Sequence, residues 1–154
     1  MLLSVDLNQF DNNNVLFSYK TKNNVLVTGD FYRISYSDEF MCLNSVFIHF
    51  NLKNVLIEPY FNKTKCNFDI NSNKEIILKI KEIEREILSR MNIQKRPVYR
   101  IEEQLVNGFI KIFDEINDKD IKSIHQTSIL LKISGIWANN AEYGTTFRFF
   151  FIHR

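Results

Sequence analysis

Residues 129–154 read ILLKISGIWANNAEYGTTFRFFFIHR, two β-rich runs joined by a polar loop that hold the chain's single tryptophan. Phe147, Phe149 and Phe151 alternate with Arg148 and Phe150, the period of a strand with one face turned to a core. The pattern predicts strands over Ile129–Trp137 and Thr145–His153. The same stretch gathers Trp137, Tyr143, Phe147 and Arg148, and aromatic plus cationic side chains on a sheet are the chemistry that holds unpaired nucleic acid.

Upstream, Val15–Tyr19, Val25–Tyr36, Met41–Phe50 and Val55–Phe61 are rich in Val, Ile, Phe and Tyr and are separated by polar turns. They read as an antiparallel meander. Pro59 cannot donate to a ladder, so the run around it is an edge strand or a frayed strand end. Asn73–Met91 then carries Ile76, Ile80, Ile83, Ile87 and Met91 at helical spacing, with Glu75, Lys79, Glu82, Glu86 and Arg90 opposite them. Ser72 and Glu75 fit a capping box, and Glu75–Lys79 and Glu86–Arg90 fit ion pairs four apart. Beyond the helix, Pro97 blocks continuation and Lys95, Arg96 and Arg100 cluster around Tyr99, the most basic local segment. Gly108 opens the apolar run Phe109–Phe113, and the polar DEINDKDIKS reads as a surface loop.

With 154 residues, 45% of them hydrophobic, the chain is long enough for one domain, 1–154, with a real core. A formal charge of +2 provides no bulk attraction for polyanions, so a nucleic-acid surface has to come from clustering. Cys42 and Cys66 have no CxxC spacing and read as reduced thiols. The N-terminus lacks a basic n-region and a long apolar run, which points to an intracellular protein, in the nucleus or the cytoplasm of a host cell, with no membrane partner. His49, His125 and His153 belong to no ligand spacing, so no metal site is predicted, and His49 in VFIHF reads as a satisfied sheet residue. Four glycines form neither GxxxxGK nor GxGxxG, and no nucleophile elbow is present, so no cofactor is expected and the chain does not read as an enzyme.

Strands, one helix, then further strands is the element order of an OB fold, a five-stranded Greek-key barrel with a helix between its third and fourth strands. The predicted class is α+β, mainly β: an OB-like antiparallel barrel of five to seven strands with one long amphipathic helix at about 73–91. In that reading the strands ending at Tyr36, Phe50 and Phe61 precede the helix, those at Phe109 and Ile129 follow it, and the run from Thr145 is extra. Candidate stacking residues are Tyr32, Tyr36, Tyr99, Trp137 and Tyr143; candidate phosphate contacts are Arg33, Lys95, Arg96, Arg100, Lys132 and Arg148.

LKISGIWANNAEYGTTFRFFF resembles the closing strand, loop and strand of predicted single-stranded-DNA-binding proteins of large DNA viruses. Ser134, Gly135, Ile136, Trp137, Glu142, Tyr143, Gly144, Thr146, Phe147 and Arg148 carry the likeness. The resemblance implies an OB-like fold, sequence-independent binding of single-stranded DNA, with RNA as a further partner, and a role in replication, recombination or genome protection. The alternative is a non-enzymatic structural or protein-interaction module, such as a viral assembly component. In that reading the RFFFIHR strand is an unpaired edge at a homo-oligomer interface.

Overall fold

The computed structural model describes residues 3–22, 29–113 and 121–152. The expected strand start at 25–28, most of the expected polar loop (114–120), His153 and Arg154 lie outside them. The strands are β1 (Val5–Asp6), β2 (Val15–Lys22), β3 (Asp30–Ser37), β4 (Cys42–Leu43), β5 (Val46–Tyr60), β6 (Lys63–Phe68), β7 (Arg96–Val98), β8 (Phe109–Ile112), β9 (Lys122–Ala138) and β10 (Glu142–Phe151). Helix α1 spans Lys74–Ser89 and α2 spans Arg100–Val106; both fall between β6 and β8.

Five of the strands close a barrel. β5 pairs with β6, β6 with β8, β8 with β10, β10 with β9, and β9 with β5 again, all antiparallel except β8–β10. The longest seam is β5–β9, where Val46, Ile48, Phe50 and Leu52 meet Ile129, Leu131 and Ile133 inside the barrel. Closure requires a strand to bend, and Asn54, with φ 54°, supplies the kink in β5. Past that kink β5 also pairs with β6, from Val55 opposite Phe68 to Tyr60 opposite Lys63. A second irregularity leaves Ser134 of β9 unpaired between Thr146 and Phe147 of β10. Outside the ring, β3 pairs with β9, β2 with β3, and β1 runs parallel to β5.

Helix α1 buries Ile77, Ile80, Ile83, Ile87 and Leu88 in the same core cluster as the barrel's inner residues. Truncating Ile80 or Ile87, both fully buried, to alanine costs about 2–5 kcal/mol. Glu84, also on α1 and fully buried, accepts the backbone N–H groups of Ile101 at 3.1 Å and Glu102 at 2.9 Å and the Thr145 hydroxyl at 3.1 Å. One carboxylate therefore fastens α1 to the start of α2 and to β10. Burial pushes its pKa up against these three donors. Gly108, at φ 80°, ends α2 in the left-handed region and feeds the chain into β8.

The mainly-β barrel with one principal helix follows the expectation, with several differences. The helix sits between the second and third strands of the ring, not the third and fourth. The strand ending at Tyr36 lies outside the ring, while the run from Thr145, expected to be extra, is a wall of it. The meander breaks after β4, because β5 is taken up by β9 and β6. Ser72 forms no capping box: its hydroxyl and N–H both go to Asp69, and Asn73 is the N-cap. Glu75 and Lys79 do pair, at 3.2 Å, but Arg90 turns to the carbonyls of Asn12 and Val15. The C-terminal strand is no open edge, since β10 is paired by β9 on one side and by β7 and β8 on the other. No helix among the described residues is long and apolar enough to cross a membrane.

Candidate nucleic-acid interface

Alternation along five strands sends every second residue to the outside of the barrel. Lys65 of β6 stands opposite Lys111 of β8. The parallel pairing of Ile112 with Phe149 sets Lys111 beside Arg148 of β10, and Arg148 stands opposite Lys132 of β9. Lys132 in turn faces Phe47 of β5. Four cations thus form one row across four successive strands of the outer wall.

Each of the four is held against a ring. The Lys65 ammonium is 4.5 Å from the Phe109 centroid and 5.5 Å from that of Tyr60, and Lys111 is 5.6 Å from Tyr60. The Arg148 guanidinium lies 4.2 Å from the centroid of Phe113, whose edge meets Phe150 at 6.0 Å, and Lys132 lies 5.7 Å from Phe47. Among the described residues, none of the four forms an ion pair with a carboxylate. Glu58, opposite Lys65, instead accepts from Asn67 Nδ2 at 3.1 Å. By contrast, Arg85 makes a bidentate pair with Glu102 at 2.8 and 2.9 Å, which holds the Glu102 carboxyl below its ordinary range, and Arg96 pairs with Glu142. Arg85 and Arg96 are thus neutralised by carboxylates, while the four cations of the row are stacked on rings and, among the described residues, not ion-paired.

The β5–β6 hairpin adds an unusual residue at the Lys65 end of the row. Phe61 is 91% exposed at φ 54°, a left-handed conformation costly for a bulky side chain, and packs edge-on against Tyr60 at 4.8 Å. Its ring points past the strands rather than into a core.

The residues expected to bind divide sharply. Lys132 and Arg148 lie in the row. Tyr36 is 1% exposed, stacked on Phe10 with its hydroxyl accepting from Asp11 N and Asn14 Nδ2, so it is a core residue and not a stacking platform. Tyr143 is 6% exposed, because β10 turns it inward against α1, where its hydroxyl donates to Leu88 O at 3.4 Å. Tyr32 packs against the core, while Arg33 is exposed on β3 at the level of Gly135. Trp137 is half-buried, lies against Gly144, and is covered by Arg100 at 4.8 Å. Tyr99 is covered by Arg85 at 4.2 Å. Arg96 is engaged by Glu142, and Lys95, one residue before β7, is half-buried. The basic loop around Tyr99 is therefore part of the α2 packing and does not join the row.

No family model, curated protein or solved structure matches the chain.

Two other features belong to structure. His49 shares a 2.7 Å hydrogen bond with Ser4 through Nδ1 and lies 3.3 Å from Asp6 through Nε2, tying β1 to β5, the satisfied sheet histidine expected. Both cysteines are free thiols; Cys66 is inside the barrel, where burial pushes its pKa up to about 12, so it is not a thiolate at neutral pH. Among the described residues no group of His, Cys, Asp and Glu could hold a metal ion.

Lys65, Lys111, Tyr60, Phe109, Phe113 and Phe47 carry the row and were not legible as site residues. Their signal was present: KTKC alternates cation with small inward residue, and FIKIF alternates inward isoleucines with outward Phe and Lys. Both runs are too short for that period to stand out, and only the barrel's register brings them together.

Proposed function

We propose that the protein binds single-stranded DNA, without sequence preference, along the outer wall of an OB-type barrel. What supports this is the row Lys65–Lys111–Arg148–Lys132, four cations on adjacent strands that form no ion pair among the described residues and have an aromatic ring beside each. Cations on a sheet meet successive phosphates, and exposed rings stack on bases at about 1–3 kcal/mol each whatever the base. Its β6–β8 half falls on the second and third strands of the ring, the face through which OB folds take oligonucleotides. The row holds no Asn or Gln to pair with adenine and no Asp or Glu to accept from cytosine, and its single guanidinium lies over the Phe113 ring, which fits sequence-independent binding. The resemblance of the 131–151 segment adds replication, recombination or genome protection as the setting.

The test is a gel-shift titration at low salt with single-stranded DNA, duplex DNA and RNA of equal length. Single-stranded DNA should bind irrespective of sequence, and duplex should bind more weakly. Absence of binding to every oligomer would refute the proposal.

A further inference from the structure

We infer that the bound strand does not stop at the β6–β8 face but wraps the barrel, continuing over β10 and β9 to Phe47 on β5. This rests on the nucleic-acid reading above and adds its path and the physical basis of its selectivity. The row leaves β5 beside Glu58 and comes back to the same strand at Phe47, so it climbs as it turns, as the stagger of a closed barrel demands. Five strands share one full turn, so neighbours are rotated by roughly 70° about the axis and the three steps from Lys65 to Lys132 turn through about 210°. Along the wall the four backbone positions are only about 14 Å from end to end, three steps of about 4.8 Å.

That curvature discriminates between ligands. A duplex keeps its direction over about 150 base pairs, so it meets the row tangentially and reaches no more than two of the four cations. A single strand follows the turn and reaches all four. Each side chain waits over a ring, Phe109, Tyr60, Phe113 or Phe47, so the whole path is lined with apolar faces for bases as well as charges for phosphates. No described carboxylate forms an ion pair along it.

The proposal is tested with deoxythymidine oligomers of 4 to 20 nucleotides carrying a donor and an acceptor dye at opposite ends. Energy transfer should rise on binding for oligomers long enough to pass from Lys65 to Lys132, and affinity should climb with length until that span is filled. The salt slope of log K should steepen from about −1.4 for two phosphates on the shortest oligomers to about −2.8 for four on the long ones. K132Q should return the long-oligomer slope to about −2.1, whereas F47L, which removes a ring and no charge, should weaken long oligomers at an unchanged slope; both should leave the shortest oligomers unaffected. Binding with a length-independent slope, no gain in energy transfer and no effect of either variant overturns the wrapped path and leaves the β6–β8 site standing. Failure of the wild-type protein to bind any oligomer overturns the nucleic-acid reading itself.

Discussion

The Arg100 guanidinium lies 4.8 Å from the Trp137 ring centroid, and Gly144 lies beneath the same indole, where an added Cβ would come within 2.9 Å of it. Trp137 is roughly 16 Å from Lys132 along β9 at about 3.3 Å per residue, and it is covered from outside by Arg100. Its emission should therefore stay constant while an unlabelled oligonucleotide saturates the protein. R100A should shift that emission to longer wavelength with no ligand present. Strong quenching of the wild-type protein by oligonucleotide would place the site on the β3–β9 face instead.

Phe61 combines a left-handed backbone with a ring 91% exposed. A bulky residue at φ 54° carries about 1–3 kcal/mol of backbone strain, which glycine relieves at some cost in unfolded-state entropy. F61G should hold or raise the urea midpoint and at the same time weaken single-strand binding. A clear drop in midpoint would mean that the contact with Tyr60 outweighs the strain.

Glu84 sets a pH dependence whose sign is determined by burial. Its folded pKa is raised above the ordinary carboxylate value of about 4.3, so the folded state holds the proton more tightly than the unfolded chain. The stability this contributes is complete below that ordinary value and is lost as pH rises through the folded pKa. Urea titrations of wild type and E84Q from pH 4 upward should therefore show the difference between them moving in favour of the variant as pH rises. E84A leaves two backbone N–H groups without their acceptor and should cost roughly 2–4 kcal/mol at low pH, a cost that shrinks as pH rises and the wild type loses the Glu84 contribution. A pH-independent gap between wild type and E84Q would contradict the raised pKa.

Gly135 is required by close approach. A Cβ there would meet the Phe31 ring at 2.4 Å and the Tyr32 carbonyl oxygen at 2.5 Å, and the second contact is backbone that cannot swing aside. G135A should destabilise by about 1–3 kcal/mol, and F31A should rescue only part of the loss. Full rescue would show that the ring, not the β3 backbone, sets the limit.

How far the sequence could be read depends on the length of each pattern. The α1 periodicity and the alternation of Phe147, Phe149 and Phe151 are long, and the structure buries Phe149 and packs Phe147 and Phe151 against the core as that alternation requires. Helix α2 has only seven residues, too few to show a period, and its start is capped by Glu84 from another helix, a partner no local motif reveals. β6 hides for a related reason: KTKCNF is polar along its outward side and takes its strand character from Thr64, Cys66 and Phe68 facing inward. Arg148 and Lys132 were legible as outward cations on β-rich runs. That Lys65 and Lys111 complete their row was not, because it depends on the parallel β8–β10 pairing, a contact between segments almost forty residues apart.

The most direct test of the central claim is the salt dependence of single-strand affinity, measured by anisotropy of an end-labelled oligonucleotide for wild type and for a variant with Lys65, Lys111, Lys132 and Arg148 all changed to glutamine. If the row holds the strand, the wild-type slope of log K against log salt is about −2.8 and the variant, folded by circular dichroism, loses measurable binding. A folded variant that binds with the wild-type slope contradicts it.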